Sequence, residues 1–99
     1  MIQLCNQVSV SSLLQRSYVD KDGQQRIFNY RSVIAKSGSN EWCGDITGDA
    51  ATKWPYEHVQ TNYHLWQVDF YATIRNYVDK EGATRYQQEI RFRDVVPML

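Results

Sequence analysis

The chain has 99 residues, 42% apolar and 13% aromatic, and its 11 Lys/Arg balance its 11 Asp/Glu to a formal net charge of zero. That length allows one domain, 1–99, with one modest core. The composition excludes a disordered or low-complexity chain, and no apolar run nears the roughly 20 residues that span a bilayer.

The opening Met-Ile-Gln-Leu-Cys-Asn has neither the charged head nor the apolar stretch of a secretory signal. A cytoplasmic protein is therefore expected, with Cys5 and Cys43 as free thiols. From Ile2 the pattern alternates: Ile2, Leu4, Val8, Val10 and Leu14 on one face, Gln3, Gln7, Ser9 and Ser11 on the other. That is the period of a half-buried strand; Asn6 and Ser12 break the apolar face, which permits a bend or bulge there. It leads into a first hairpin, Arg16 to Gly23. The return strand, 24–36, sets Arg26, Phe28, Tyr30, Ser32 and Ile34 on one face and Ile27, Asn29, Arg31, Val33 and Ala35 on the other. Its apolar face switches partway, which suits a strongly bent sheet.

Ser37-Gly38-Ser39-Asn40 is a turn by composition. A short third strand follows over 41–47, then a short helix over 48–53 with Asp49 as N-cap, ended by Trp54-Pro55. Residues 56–62 read as an irregular connection. Trp42, Trp54 and Tyr56 are expected to pack in the core or a loop rather than to act as stacking platforms. From about Tyr63 a long strand sets Trp66, Val68, Phe70, Ala72 and Ile74 against Gln67, Asp69, Tyr71, Thr73, Arg75 and Tyr77. After a second hairpin, Tyr86, Gln88, Ile90 and Phe92 alternate with Arg85, Gln87, Glu89, Arg91 and Arg93. The tail, Val95 to Leu99, should form an edge or a cap, since Pro97 cannot donate to a ladder.

The two hairpins are one motif used twice. Residues 16–26 and 75–85 agree at 7 of 11 positions, including Tyr-Val-Asp-Lys and the closing Gly and Arg. Gly23 and Gly82 supply the positive φ of a tight loop. Cationic tips on aromatic stems suit a charged polymer whose flat bases are exposed. Charge distribution sharpens the neutral total. Residues 1–36 hold five Lys/Arg against two Asp/Glu, 37–70 one against five, and 71–99 five against four. A neutral protein can still present a basic face. Five strands in about 100 residues point to an all-β fold. The expected form is a five-stranded Greek-key barrel of the OB (oligonucleotide-binding) type, with two protruding β-hairpins and at most one short helix. A β-sandwich is the competitor.

Three stretches resemble two known families. Met1-Ile2, Arg16-Ser17-Tyr18-Val19, Lys21, Gly23 and Asn29 stand at the spacing of the single-stranded-DNA-binding proteins of filamentous bacteriophages. Arg91-Phe92-Arg93-Asp94-Val95-Val96-Pro97 is similar to that family's closing Arg-x-Arg-x-Val-Pro, with one extra residue. The second hairpin, Arg75 to Ile90, also resembles a strand pair of bacterial replicative single-strand-binding proteins. Together these matches cover about half the chain. They imply an OB fold, sequence-tolerant coating of single-stranded DNA during replication of a phage or mobile element, and a homodimer that assembles cooperatively. They also imply phosphate contacts at Arg16, Lys21 and Arg91 or Arg93. Arg26-Ile27 replaces the phage family's Pro-Tyr pair, which shifts the stacking role to Phe28 or Tyr18. The bacterial family's acidic tail is not matched, so its partner docking is not carried over, and residues 37–63 match neither family.

The expected DNA-binding residues are Arg16, Lys21, Arg26, Arg75, Lys80, Arg85 and Arg91 for phosphate, and Tyr18, Phe28, Tyr30 and Tyr77 for bases. No cofactor, metal or membrane is implied. An enzyme is not expected: His58, His64, Cys5 and Cys43 lack the spacing of a zinc motif, and there is no phosphate-cradling Gly loop or nucleophile elbow. The other class in play is an interaction module whose hairpins grip a peptide or a partner subunit.

Overall fold

The computed structural model describes residues 1–58 and 65–98. Its elements are β1 (Ile2–Cys5), β2 (Gln7–Val10), β3 (Leu14–Val19), β4 (Gln25–Ser37), β5 (Asn40–Thr47), α1 (Asp49–Thr52), β6 (Trp66–Val78) and β7 (Thr84–Pro97). The fold is all-β. All seven strands join one sheet in the order β1-β6-β7-β5-β4-β2, with β3 also on β4. Every pairing is antiparallel except β5 with β7, which meet in parallel at Asp45 and Arg91. No helix among the described residues is long and apolar enough to cross a membrane.

Seven strands stand where five were expected, because the N-terminal run breaks twice. β1 pairs with β6, whereas β2 and β3 pair with β4. The breaks fall at Asn6, whose N–H bonds the Lys36 carbonyl at 3.1 Å, and after Ser11, whose hydroxyl accepts the Ser32 N–H at 2.9 Å. The break at Asn6 also shifts the phase, which corrects the expected apolar face. Cys5 is buried before it and Val10 after it, while Ile2 and Leu4 are 64% and 50% exposed.

The core gathers Trp66, Val68 and Phe70 from β6, Phe92 and Val95 from β7, Val33 and Ala35 from β4, and Cys5, Val10 and Ile46. Phe70 lies between Trp42 and Phe92, with ring centroids 5.4 and 5.5 Å away. Trp54 is buried and donates its indole N–H to the Val95 carbonyl at 2.9 Å. Trp42 and Trp54 therefore pack the interior. Gly48, not Asp49, occupies the N-cap of α1; its φ of 65° starts the turn, and Asp49 falls in the first turn. β7 carries the tail to Pro97, which is buried opposite Trp66. The reading of residues 56–62 and of the strand start at Tyr63 falls largely on 59–64, outside the described residues, as do His64 and Leu99.

One cation is inside. Arg31 shares the β4 face of Val33 and Ala35 and is buried. It donates to the Ala51 carbonyl at 2.7 Å and the Ser11 carbonyl at 3.2 Å, pairs with Glu57 at 3.5 Å, and lies over the Trp54 ring. One side chain thus ties α1 and the second N-terminal break to the sheet. Replacing it leaves two carbonyls without a donor. Arg31→Met is expected to cost about 2 kcal/mol in chemical denaturation, with no change of fold.

β3–β4 and β6–β7 run on past this core. β6 is exposed from Tyr71 onward, and β7 from Thr84 to Gln88. The radius of gyration is 15.6 Å, against about 13 Å for a compact chain of this length. The exposed ends of these two strand pairs lie beyond the core and extend the molecule.

Candidate nucleic-acid interface

The repeated motif builds two copies of one loop. At the first tip, the Asp20 carboxylate accepts the N–H groups of Asp22 and Gln24 on one oxygen and Arg26 Nε, at 2.8 Å, on the other. At the second, Asp79 accepts Glu81 and Ala83 on one oxygen and Arg85 Nε, at 2.9 Å, on the other. Gly23 and Gly82 close the turns at φ of 77° and 81°. So Asp, Gly and Arg recur because together they tie the loop. Tyr18, Tyr77, Lys21 and Lys80 have no part in that tie and are exposed.

The guanidinium bond from Arg26, with backbone N–H donors behind it, holds the Asp20 carboxyl below its ordinary pKa; Arg85 does the same for Asp79. A carboxylate whose pKa is depressed on folding stabilises the loop at every pH above its unfolded value. That stabilisation is lost as pH falls through the folded value. The tips should therefore keep their order from neutral pH down through the usual carboxylate range and loosen only below it. Amide exchange at Glu81 and Ala83 measures this. Asp79→Ala should release the same two amides at neutral pH with little effect on global unfolding.

The first hairpin carries a row of rings. Leu14 lies opposite Tyr30, Arg16 opposite Phe28 and Tyr18 opposite Arg26, so all six share a face. Tyr18 meets Phe28 edge-on at 5.8 Å, and Phe28 meets Tyr30 at 5.7 Å. The Arg16 guanidinium sits 5.4 Å from the Tyr30 ring centre. Phe28 and Tyr30 are half-buried beside one another, outside the core. This is the switch of face expected in β4: rings outward near the tip, Val33 and Ala35 inward beyond.

On the second hairpin, Tyr71 lies opposite Arg91, Arg75 opposite Gln87 and Tyr77 opposite Arg85. The outer face gathers Tyr71, Arg75, Tyr77, Arg85 and Arg91 as expected. Arg93 joins them by another route. The register shifts by one residue between Asp69 and Phe70, which leaves Arg93 without an opposite residue. Its guanidinium lies 4.5 Å from the Tyr71 ring centre.

Between the hairpins is an open cleft of about 440 Å³. Arg16, Phe28 and Tyr30 line one side, Arg75 and the run from Gln87 to Arg91 the other, and Cys43, Gly44 and Asp45 of β5 the floor. Gly44 sets the width: a Cβ there would overlap the Ile90 carbonyl. A lone Gly inside a strand pattern is the sequence signal for such an approach. Arg75 pairs with Glu89 at 3.6 Å, and Arg91 with Asp45 and Glu89, each at 3.3 Å. Arg16 makes no ion pair among the described residues. Burial raises the Cys43 thiol pKa, with Glu41 adding to the effect.

Of the expected site residues, Arg16, Phe28, Tyr30, Arg75 and Arg91 meet in the cleft. Tyr18 extends their row toward the tip. Lys21 and Lys80 stand on the loops and Tyr77 on the second stem. Arg26 and Arg85 are each tied to a loop aspartate, a role that sequence reasoning missed. Its signal was present: the same Asp–Arg separation recurs in both copies. Among the described residues no three His, Cys, Asp or Glu side chains are placed to hold a metal ion. No protein-family model matches the chain, and no curated protein matches it significantly.

Proposed function

We propose that this protein binds single-stranded DNA with little sequence preference, holding the backbone with Arg16, Arg75 and Arg91 and stacking bases on Phe28, Tyr30 and Tyr18. The observation that carries this reading is the cleft, where an uncommitted guanidinium and a row of rings face two further arginines. The ion pairs of Arg75 and Arg91 are no obstacle. Arg75 is exposed, where an ion pair contributes only about 0–1 kcal/mol; the pairs of Arg91 are half-buried, and a phosphate there would replace one anionic partner with another. Stacking is worth roughly 1–3 kcal/mol per base, and phosphate contacts add counterion release; neither reads base edges. Lys21 and Lys80 would add charge at the tips.

The strand order also favours an OB-type barrel. The sheet is open, with β1 and β2 at the two ends of its order and only Asn6 between them, and a small rotation at that residue would bring the ends together. A homodimer that assembles cooperatively belongs to the same reading. It would use the back of the second hairpin, where Ile74, Val78 and Tyr86 are exposed.

The test is a titration with oligo-dT, following quenching of Tyr and Trp fluorescence across a salt series. Quenching at low salt that fades steeply as salt rises is expected. Absence of quenching at low salt contradicts the reading. Salt-independent binding of an apolar peptide would instead support the interaction module.

A further inference from the structure

We infer that a bound single strand leaves the cleft over Arg91 and enters a second basin, where Arg93 and Lys53 hold further phosphates and Tyr56 offers a ring. This rests on the single-strand reading above. The basin is an open hollow of about 300 Å³ whose lining includes Ile46, Lys53, Trp54, Tyr56 and Arg93. It lies further along the same two strands, β5 and β7. Asp45 and Arg91 line the cleft, their near neighbours Ile46 and Arg93 line the basin, and Tyr71 lies opposite Arg91 and against Arg93.

The seven arginines divide by their partners. Arg26, Arg31, Arg75, Arg85 and Arg91 are held by carboxylates. Arg16 and Arg93 make no ion pair among the described residues; each lies on a tyrosine ring, Tyr30 and Tyr71. A guanidinium that rests its flat face on a ring keeps its N–H edge for a ligand, and that edge matches phosphate. Arg16 opens onto the cleft and Arg93 onto the basin.

The bulge in β7 makes this possible. If the register before it continued, Arg93 would stand opposite Phe70, in the core. The shift puts Phe92 there instead and frees Arg93 to reach Tyr71. Lys53, just past α1, is exposed and has no ion pair among the described residues. Of the described residues lining the basin, only Asp94 is acidic. Tyr56 is half-buried against Trp54, at 5.8 Å, and lines the basin.

The experiment compares oligo-dT of about 4 and about 16 nucleotides, the range of site sizes that one small single-strand-binding domain covers. The short oligomer can be held by the cleft alone. The variant carrying Lys53→Ala and Arg93→Ala should bind the long oligomer at least tenfold more weakly and the short one within twofold of the unaltered protein. Its plot of log affinity against log salt for the long oligomer should flatten by about 1.4, two phosphates at about 0.7 each. Lys53→Ala alone, which disturbs neither ladder nor ring, should give half that change of slope. Equal loss on both lengths, or no loss on either, overturns the second basin. Failure of the unaltered protein to bind either length overturns the single-strand reading itself.

Discussion

Gly44→Ala is expected to lower stability by about 3 kcal/mol and the melting temperature by roughly 15 °C. The added Cβ meets the carbonyl group of Ile90, which is backbone and cannot rotate away. Either β5 or β7 must retreat. Their contact is the one parallel bridge, at Asp45 and Arg91, that joins β4 and β5 to β6 and β7. Loss of that bridge parts β5 from β7 at the floor of the cleft and shifts its two walls relative to each other. Gly82→Ala is the control. It places a Cβ in open space, at a φ of 81°, so its cost is conformational only, about 1 kcal/mol. Thermal melts of the two variants, side by side, measure the difference.

The combined variant Arg16→Ala with Phe28→Ala should weaken binding of oligo-dT by about 100-fold, close to 3 kcal/mol. Arg16 has no carboxylate partner among the described residues, so its charge is available to a phosphate without prior separation of an ion pair. Phe28 touches both Tyr18 and Tyr30, so its loss opens the row of rings in the middle. The effect should be the same for all base compositions. Arg26→Ala should weaken binding far less and act chiefly on the tip, because Arg26 is not among the residues lining the cleft and its Nε ties the Asp20 loop. Fluorescence titration at fixed low salt separates these outcomes.

Much of this was legible in the residues. The hairpins showed through the repeat, and the turn of β4 showed through the shift of its apolar residues from Phe28 and Tyr30 to Val33 and Ala35. A bend or bulge at Asn6 was expected; what could not be read was that a single residue, there or at Arg93, changes the phase. Asn6 lets β1 bury Cys5 and expose Ile2 and Leu4, against a pattern that favours the opposite. The bulge at Arg93 likewise places Phe92, not Arg93, opposite Phe70. A period of two shows the alternation on either side of an insertion but not which residue is the inserted one, nor how the partner strand takes up the shift. Pairing was hidden for a different reason. Lys and Arg counted equally toward a basic face, yet Arg26 and Arg85 are tied to loop aspartates and Arg31 is buried with Glu57 beside it. Net charge by segment cannot distinguish a cation already bonded from one still open to a ligand.

The central claim is that both hairpins grip the same strand across one cleft. Nuclear magnetic resonance of the labelled protein during addition of oligo-dT tests it most directly. Shifts should concentrate at Arg16, Phe28 and Tyr30 on one side and at Arg75, Gln87 and Arg91 on the other, rising together along a single titration curve. Shifts confined to one hairpin, or to the backs of the hairpins around Ile27 and Ile74, would contradict it.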